Sequence, residues 1–378
     1  MPDLPRTARE IVASGETPPK FRFMPTNAPL ELPAWHGPIT RLARESIAAI
    51  RVIAAATAEN LATERARVAE SFRRGEPTVP VLLYRAVDHS ARRDVLHRAA
   101  AAIENDGILG ALYADRLLEI DGEAALTAAV GTRLFGPLAR RRFPARIEDA
   151  DAIGRDREVL STGPETTSDG TRGETLFTCI LQRLQRHGVD VPIVFREDLS
   201  ALAATGDDRI YLARGRRLSA LAARRTAVHE VDGHVLPRVR ARDEALSLFA
   251  IGSAGGADEQ EGAALFAEEQ SGLLDGARAE ELALRHRLVA AMRSGARFVD
   301  TVRSALADGI PNDDAVALAF RLHRGAGADG EGLGREAAYV PAFRRVLCAP
   351  PDERRTLARG QLSMETIGKL RNAGFLTH

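Results

Sequence analysis

The chain has 378 residues, 45% of them hydrophobic, which is enough for a sizeable core in one large domain or two smaller ones. Its 52 basic and 52 acidic residues cancel, so no overall charge attracts nucleic acid or an anionic membrane surface. Two cysteines cannot build a disulfide framework, and no segment has the ~20 apolar residues of a membrane span. We therefore expect a cytoplasmic globular protein that binds neither nucleic acid nor membrane, with an oligomeric state that the sequence leaves open.

The N-terminal part of the chain reads as an arm followed by helices. Residues 1–38 are rich in proline, which predicts an extended arm. Apolar positions then recur at helical spacing over residues 39–74, which predicts one long helix, and again over 90–104 and 110–130. We expect residues 39–155 to form a helical N-terminal region.

Residues 156–378 are expected to form a second region that combines helices with a small sheet. The fold class predicted for the whole chain is therefore α+β and predominantly helical. The pattern predicts these elements in this region: a helix over 174–186, strands over 191–195 and 209–213, a helix over 219–236 that stops at Pro237, a helix over 258–274, and a mostly helical C-terminal third.

A group of residues suited to metal chemistry lies in the 219–236 helix. Residues 226–237 read TAVHEVDGHVLP and contain His229, Glu230 and His234. Neutral imidazoles are preferred ligands of Zn²⁺, and a carboxylate beside the first imidazole can take a proton from water. The pattern resembles the His-Glu-x-x-His logic of metallopeptidases, although both histidines could also simply pack in the core.

The spacing of the two histidines is one residue longer than in that motif. At ~100° per residue, side chains four apart lie ~40° apart around a helix, whereas side chains five apart lie ~140° apart. His229 and His234 therefore cannot point at one metal ion from a regular α-helix. A π-type turn between them would restore a common face, and Gly233 offers the conformational freedom for it.

A third ligand is expected from the next helix, where residues 258–269 read DEQEGAALFAEE. Glu261 is the candidate, with Gly262 beside it to allow close approach of backbone. The alternative is structural, with Asp258 as N-cap and Glu261 closing a capping box. Glu268 lies two turns after Glu261 on the same face of the helix. It is predicted either to accept a hydrogen bond from a histidine N–H or to be a surface carboxylate.

The strand over 209–213 precedes the histidine helix, as in zincins, where an edge strand beside the metal helix binds substrate backbone.

The HEVDGH run, followed by QEGAA at residues 260–264, resembles the paired signature of the flavohaemoglobin expression-modulating QEGLA-motif proteins. Their eukaryotic relatives are the microtubule-associated tyrosine carboxypeptidases, zinc enzymes that remove the C-terminal tyrosine of α-tubulin. The resemblance covers residues from about 40 to 345. It departs at Ala263, where relatives have leucine, and at 334–338, which lack the expected Thr-Lys-Asp.

The resemblance implies a zincin-like metallopeptidase region over 156–378. In it His229, His234 and Glu261 match the zinc ligands, and Glu230 matches the catalytic glutamate. The predicted function is a zinc-dependent peptide hydrolase, carboxypeptidase-like, that acts on a peptide or protein C-terminus; the tubulin substrate is not transferred. The alternative is a non-catalytic regulatory or binding protein that retains the fold.

Three further residues are candidates for the reaction. Tyr339 is expected to donate to the developing oxyanion, with an ordinary buried tyrosine as the alternative. Arg321 and Arg324 are expected to bind the terminal carboxylate of a substrate, because arginine pairs with carboxylates in a bidentate manner. Ordinary surface arginines are the alternative, since 50 of the 52 basic residues are arginine.

Overall fold

The computed structural model describes residues 31–154, 157–197, 199, 201–206, 208–327 and 330–376. The predicted N-terminal arm lies mostly outside the described residues. Trp35 begins the unit that contains every element named below.

The N-terminal region is helical, as predicted, but its first helix is divided. Six helices are found there: α1 His36–Ala49, α2 Val52–Ala55, α3 Leu61–Arg73, α4 Ser90–Ile103, α5 Gly107–Ala128 and α6 Phe135–Arg142. The single helix predicted over 39–74 is wrong, because Ile50 is extended (φ −90°, ψ 104°) and a second break precedes Leu61. The apolar spacing included Ile50, which is buried, but did not show how many helices the segment forms.

A small sheet and the histidine segment follow. The elements are β1 Glu165–Thr167, α7 Leu176–His187, β2 Ile193–Arg196, β3 Ala203–Thr205, β4 Ile210–Ala213, β5 Arg217–Ser219, α8 Ala220–Val228, a π-helical turn His229–Val235, and α9 Leu236–Arg240. The predicted helix over 174–186 is confirmed as α7. Thr175 and Thr178 form a capping box at its start, and Gly188 ends it in the left-handed region (φ 64°).

The strands form two sheets. β1 pairs with β5 in an antiparallel manner, and the other sheet has the order β2-β4-β3. β2 runs parallel to β4, with Ile193 opposite Ile210, whereas β3 is antiparallel to it, with Ala204 opposite Tyr211. The strand predicted over 209–213 is β4 and is central, so the prediction that it is the edge strand is wrong. The edges on either side of β4 are β2 and β3, and the three residues of β3 are too few for an alternating pattern.

The C-terminal third is helical. Its helices are α10 Leu248–Ile251, α11 Gly256–Gln270, α12 Gly276–Arg293, α13 Phe298–Ala307, α14 Asn312–Leu322, α15 Tyr339–Cys348, α16 Pro351–Leu357 and α17 Met364–Asn372. Short 3₁₀ turns span Ile147–Ile153, Ala241–Asp243 and Arg335–Ala338. Within the described part of the chain, no helix combines the length and apolar character needed to cross a bilayer.

Shared hydrophobic clusters hold these parts together. Leu117 of α5 packs in one cluster with Ile367 of α17. A second cluster joins Ile180 of α7, Leu212 of β4 and Ala227 of α8, and so fixes the histidine segment against the sheet. The predicted α+β, predominantly helical fold is confirmed.

Candidate metal centre

The two histidines lie on a widened helical turn. The π-helical turn His229–Val235 joins α8 to α9, which confirms the π-type turn predicted from the spacing. The two imidazole rings are neighbours, with centroids 5.1 Å apart. The predicted stop at Pro237 is wrong, because Pro237 lies in the first turn of α9, where the missing N–H is tolerated.

Gly233 serves close packing and not an unusual backbone conformation. Its φ is not positive, which corrects the role predicted for it. A Cβ atom on Gly233 would lie 2.2 Å from the Cβ of Ala264 in α11. Gly262 has the same function on the opposite side of α11, where a Cβ would lie 2.4 Å from the carbonyl carbon of Ala342 in α15. The two glycines therefore let α11 lie directly between the π turn and α15.

Close packing brings three candidate ligands together. The Nε2 atoms of His229 and His234 lie 3.4 and 3.8 Å from Oε2 of Glu261, and the three ligand atoms are all within 4.8 Å of one another. This Oε2 atom is buried and has no hydrogen-bond partner among the described residues. Two atoms bound tetrahedrally to zinc at ~2.0–2.1 Å lie roughly 3.4 Å apart. The donor set and its spacing therefore fit a zinc-type ion.

The second oxygen of Glu261 is held by an arginine. Arg335 donates from Nη2 to Oε1 at 2.5 Å. Burial would raise the pKa of the Glu261 carboxyl, but the charge of Arg335 holds it well below its usual range. The capping-box alternative is wrong, because α11 begins at Gly256 with Gly255 as its N-cap. Asp258 instead accepts a hydrogen bond from Nη1 of Arg142 at 2.6 Å.

Glu268 orients the first histidine. It is fully buried, and His229 donates from Nδ1 to its Oε1 at 2.8 Å. In the neutral imidazole that a metal ion would bind, this bond places the lone pair on Nε2, the atom that lies 3.4 Å from Oε2 of Glu261. Arg278 donates from Nε to Oε2 at 3.3 Å. Burial would lower the pKa of His229, but the carboxylates of Glu261 and Glu268 raise it to about 10. The prediction of Glu268 as a partner of a histidine N–H is confirmed.

Glu230 is buried beside the candidate ligands His229 and His234. It accepts a hydrogen bond from a residue that was not predicted from the sequence. Thr205, the last residue of the edge strand β3, donates from Oγ1 to Oε2 of Glu230 at 2.7 Å. Thr205 therefore occupies Oε2 of Glu230 and makes no hydrogen bond to Oε1. A threonine at the end of a three-residue strand has no sequence signal that identifies it.

The outer side of the π turn carries a second missed contact. Asp232 accepts a hydrogen bond from Nε of Arg183 at 2.8 Å. Nε2 of His187 lies 3.3 Å from Oδ1 of the same carboxylate. Both partners are on α7, so this contact ties the widened turn to the helix that supports the sheet.

Tyr339 begins α15, is half-buried, and packs against a hydrophobic cluster that includes Leu265. Burial and the negative charge of Glu261 raise the pKa of Tyr339 to about 12, so its hydroxyl keeps a proton to donate. Of the candidate ligands, Glu261 is the one whose charge acts on Tyr339.

The two predicted carboxylate-binding arginines differ in their contacts. Arg321 donates from Nε to Oε1 of the buried Glu336 at 2.6 Å. No hydrogen bond or ion pair of the Arg324 guanidinium is found among the described residues. Burial and the positive charges of Arg321 and Arg335 lower the pKa of Arg324. Neither Arg321 nor Arg324 bonds to a candidate metal ligand.

A cavity of about 570 Å³ lies next to the cluster. Asp258 and Arg335 line it, and Asp258 precedes Glu261 by roughly one turn of α11. Its apolar lining consists of Ile50, Val52, Ile53, Ala54, Leu126, Phe143, Leu199, Ala257 and Leu333, and its other lining residues are Arg51, Thr57, Glu123 and Arg142. The N-terminal helices thus form one wall of the cavity. Its link to the candidate ligands is Arg335, which lines the cavity and bonds to Glu261.

Two imidazoles and a carboxylate around one point, with a further carboxylate beside them, form the type of site that metal-dependent hydrolases use. The sequence model of the family described as microtubule-associated tyrosine carboxypeptidase matches residues 70–373. The chain belongs to this family of carboxypeptidases. No curated protein matches the chain. The family named in the sequence analysis is confirmed, and the QEGLA-motif subfamily stays a prediction.

Proposed function

We propose that the protein is a zinc-dependent, carboxypeptidase-like peptide hydrolase, in which His229, His234 and Glu261 hold the zinc ion. The observation that carries this proposal is the buried Oε2 atom of Glu261, which has no hydrogen-bond partner among the described residues and lies between two imidazole nitrogens. A buried carboxylate oxygen without a partner is costly, and a cation removes that cost.

The reaction follows from the positions of the surrounding side chains. When bound, zinc supplies a Lewis acid that polarises a carbonyl and lowers the pKa of water. Glu230 is the general base: Thr205 holds one of its oxygens, and the other takes a proton from the attacking water and passes it to the leaving amine. Tyr339 donates its hydroxyl proton to a hydrogen bond with the developing oxyanion.

The substrate we propose is the C-terminus of a peptide or protein. The cavity that Arg335 lines is large enough for a side chain, and nine of its fifteen lining residues are apolar, which supports aromatic and other apolar C-terminal residues as first probes. The family description names tyrosine removal and microtubules, and we adopt from it only the C-terminal cleavage. Arg321 and Arg324 stay candidates for the substrate carboxylate.

We also propose that the catalytic region is zincin-like. The support is a histidine-bearing helix that packs against a small sheet, with the edge strand β3 in contact with the base Glu230. In zincins this edge receives the substrate backbone as an added strand.

Elemental analysis and a base variant test the proposal. Purified protein should contain about one zinc ion per chain, and chelation should abolish cleavage of peptides with free C-termini. Glu230→Gln should retain fold and zinc but lose turnover by a factor on the order of 10² or more, because a positioned base is removed. Folded protein that takes up no zinc would refute the metal site.

The rival function is a binding or regulatory protein that retains the fold without turnover. A binding protein has no need of a base held by a hydrogen bond, which favours the enzyme. A parent protein that holds zinc but cleaves nothing in a broad peptide library would support the rival.

A further inference from the structure

We infer that Arg335 binds the terminal carboxylate of the substrate and so connects the metal ligand Glu261 to the cavity. This inference rests on the proposed function and deepens it. Arg321 and Arg324 are the arginines predicted from the sequence for this role, and Arg335 is not among them.

The position of Arg335 is set by the backbone on one side and by Glu261 on the other. Arg335 opens the 3₁₀ turn Arg335–Ala338, directly after Gly334 in the left-handed region (φ 58°). Its Nη2 atom donates a hydrogen bond to Oε1 of Glu261. No acceptor for Nε or Nη1 is found among the described residues. The side chain is 35% exposed and lines the cavity, so these two donors face space that a ligand can enter.

The local charges leave room for one more carboxylate. Three acidic side chains here already have arginine partners: Asp258 with Arg142, Glu336 with Arg321, and Glu261 with Arg335. Glu119 and Glu123 also lie 3.6 and 3.8 Å from Arg142, so Arg142 offsets more than one acidic side chain. Arg324 has no acidic partner among the described residues, and its positive charge favours a carboxylate near Arg335.

The chemistry of arginine suits both contacts. A guanidinium presents five donors in a planar fork, so one edge can hold Glu261 while another receives a second carboxylate. The contact to Glu261 also restricts the side chain before a ligand arrives, which lowers the entropy lost on binding. Arg321 lacks this arrangement because its Nε is already used by the buried Glu336.

The location of Arg335 matches what C-terminal cleavage requires. The carboxylate of a C-terminal residue is only one residue from the scissile bond, so its binding group must lie beside the metal site. Arg335 contacts a candidate ligand directly, and the same side chain lines the cavity that would receive the substrate side chain. Arg324 neither contacts a candidate ligand nor lines this cavity.

The test compares each substrate with its amide. A peptide with a free C-terminus and the same peptide with a C-terminal carboxamide are titrated against Glu230→Gln protein, which should bind without cleaving. The free acid should bind roughly 10- to 100-fold more tightly, as expected for hydrogen bonds to a charged group. Adding Arg335→Met should remove most of this ratio, and Arg335→Lys should retain part of it because the charge remains.

Arg345→Met is the matched control. Arg345 donates to Glu259 of α11 at 2.5 Å, as Arg335 does to Glu261, and its removal also leaves a buried glutamate without its arginine. The ratio of acid to amide affinity should not change in this variant. Zinc content is measured in every variant, so a loss of metal is separated from a loss of carboxylate binding.

The outcomes separate this inference from the proposed function. An acid-to-amide ratio that persists in Arg335→Met and disappears in Arg324→Met would overturn the inference and leave the proposed function in place. A parent protein that binds zinc and cleaves acid and amide equally would also overturn it. A protein without zinc or cleavage would instead refute the proposed function itself.

Discussion

The π turn and helix α11 solve the same geometric problem in different ways. His229 and His234 are five residues apart, ~140° around a regular helix, and only a widened turn brings them to one side. Glu261 and Glu268 are seven residues apart, ~20° short of two full turns, so a regular α-helix already places them on one face. One element changes its backbone to present two candidate ligands, and the other presents a ligand and a histidine partner without any change.

The π turn and α11 depend on each other. Glu268 on α11 orients His229 on the π turn, and the absence of a side chain at Gly233 lets the two segments approach. Each segment therefore contributes to the geometry of the other, and breaking either one should disturb the shared site.

The largest effect is expected from Gly233→Ala. The added Cβ would lie 2.2 Å from that of Ala264, so the π turn and α11 must separate. We expect a loss of unfolding free energy of about 1–3 kcal/mol from overpacking, together with loss of zinc binding. Urea unfolding and elemental analysis measure the two effects.

The matched control for this change is Gly122→Ala in α5. Gly122 is helical, and a Cβ added there would meet no atom within 4 Å, so alanine should stabilise by about 0.5–1 kcal/mol. A Gly233→Ala protein with the stability and zinc content of the parent would show that close approach is not needed.

A smaller effect is expected from Glu268→Gln, which removes the charge behind His229 but keeps an acceptor of similar shape. Zinc affinity should fall by roughly 10- to 100-fold, as is usual when a histidine ligand loses its carboxylate partner. Competition with a chelator measures it. Glu269→Gln is the control, because Glu269 is paired with Arg157 and with none of the candidate ligands. The zinc affinity of the Glu269→Gln protein should match that of the parent.

The smallest effect is expected from a change at Thr205, which contacts Glu230 on the π turn. Thr205→Val keeps the shape of the side chain but leaves Glu230 without its donor. The kcat should fall on the order of tenfold, since a hydrogen bond to a charged group is lost, while KM and zinc content stay unchanged. Thr205→Ser should recover most of the rate. Equal kcat in Thr205→Val and the parent would exclude this role.

The parts of the site that the sequence predicted are local. The ligand types, the widened turn and the partnership of Glu268 all follow from spacing within one or two helices. Thr205, Arg183 and Arg335 were missed because each reaches the site from a segment 25 to 74 residues away from its partner. Pairings of this kind depend on tertiary packing, and a single sequence carries no periodic signal for them.

The same limit explains the errors in the fold. Apolar spacing over 39–74 continued through Ile50 although the backbone breaks there, because burial alone does not distinguish one helix from several. β3 was missed because its residues, Ala203, Ala204 and Thr205, offer only weak β-propensity, and its pairing with β4 determines its conformation.

The cavity has a consequence for the order in which the protein can acquire activity. Its lining residues come from distant parts of the chain and include Ile50, Leu126, Phe143, Leu333 and Arg335. During synthesis from the N-terminus, the histidine segment emerges from the ribosome about 100 residues before Arg335 does. A partly synthesised chain therefore carries the candidate ligands without a complete substrate cavity. Under the proposed function, peptide cleavage would begin only after the residues up to Arg335 have been made and folded.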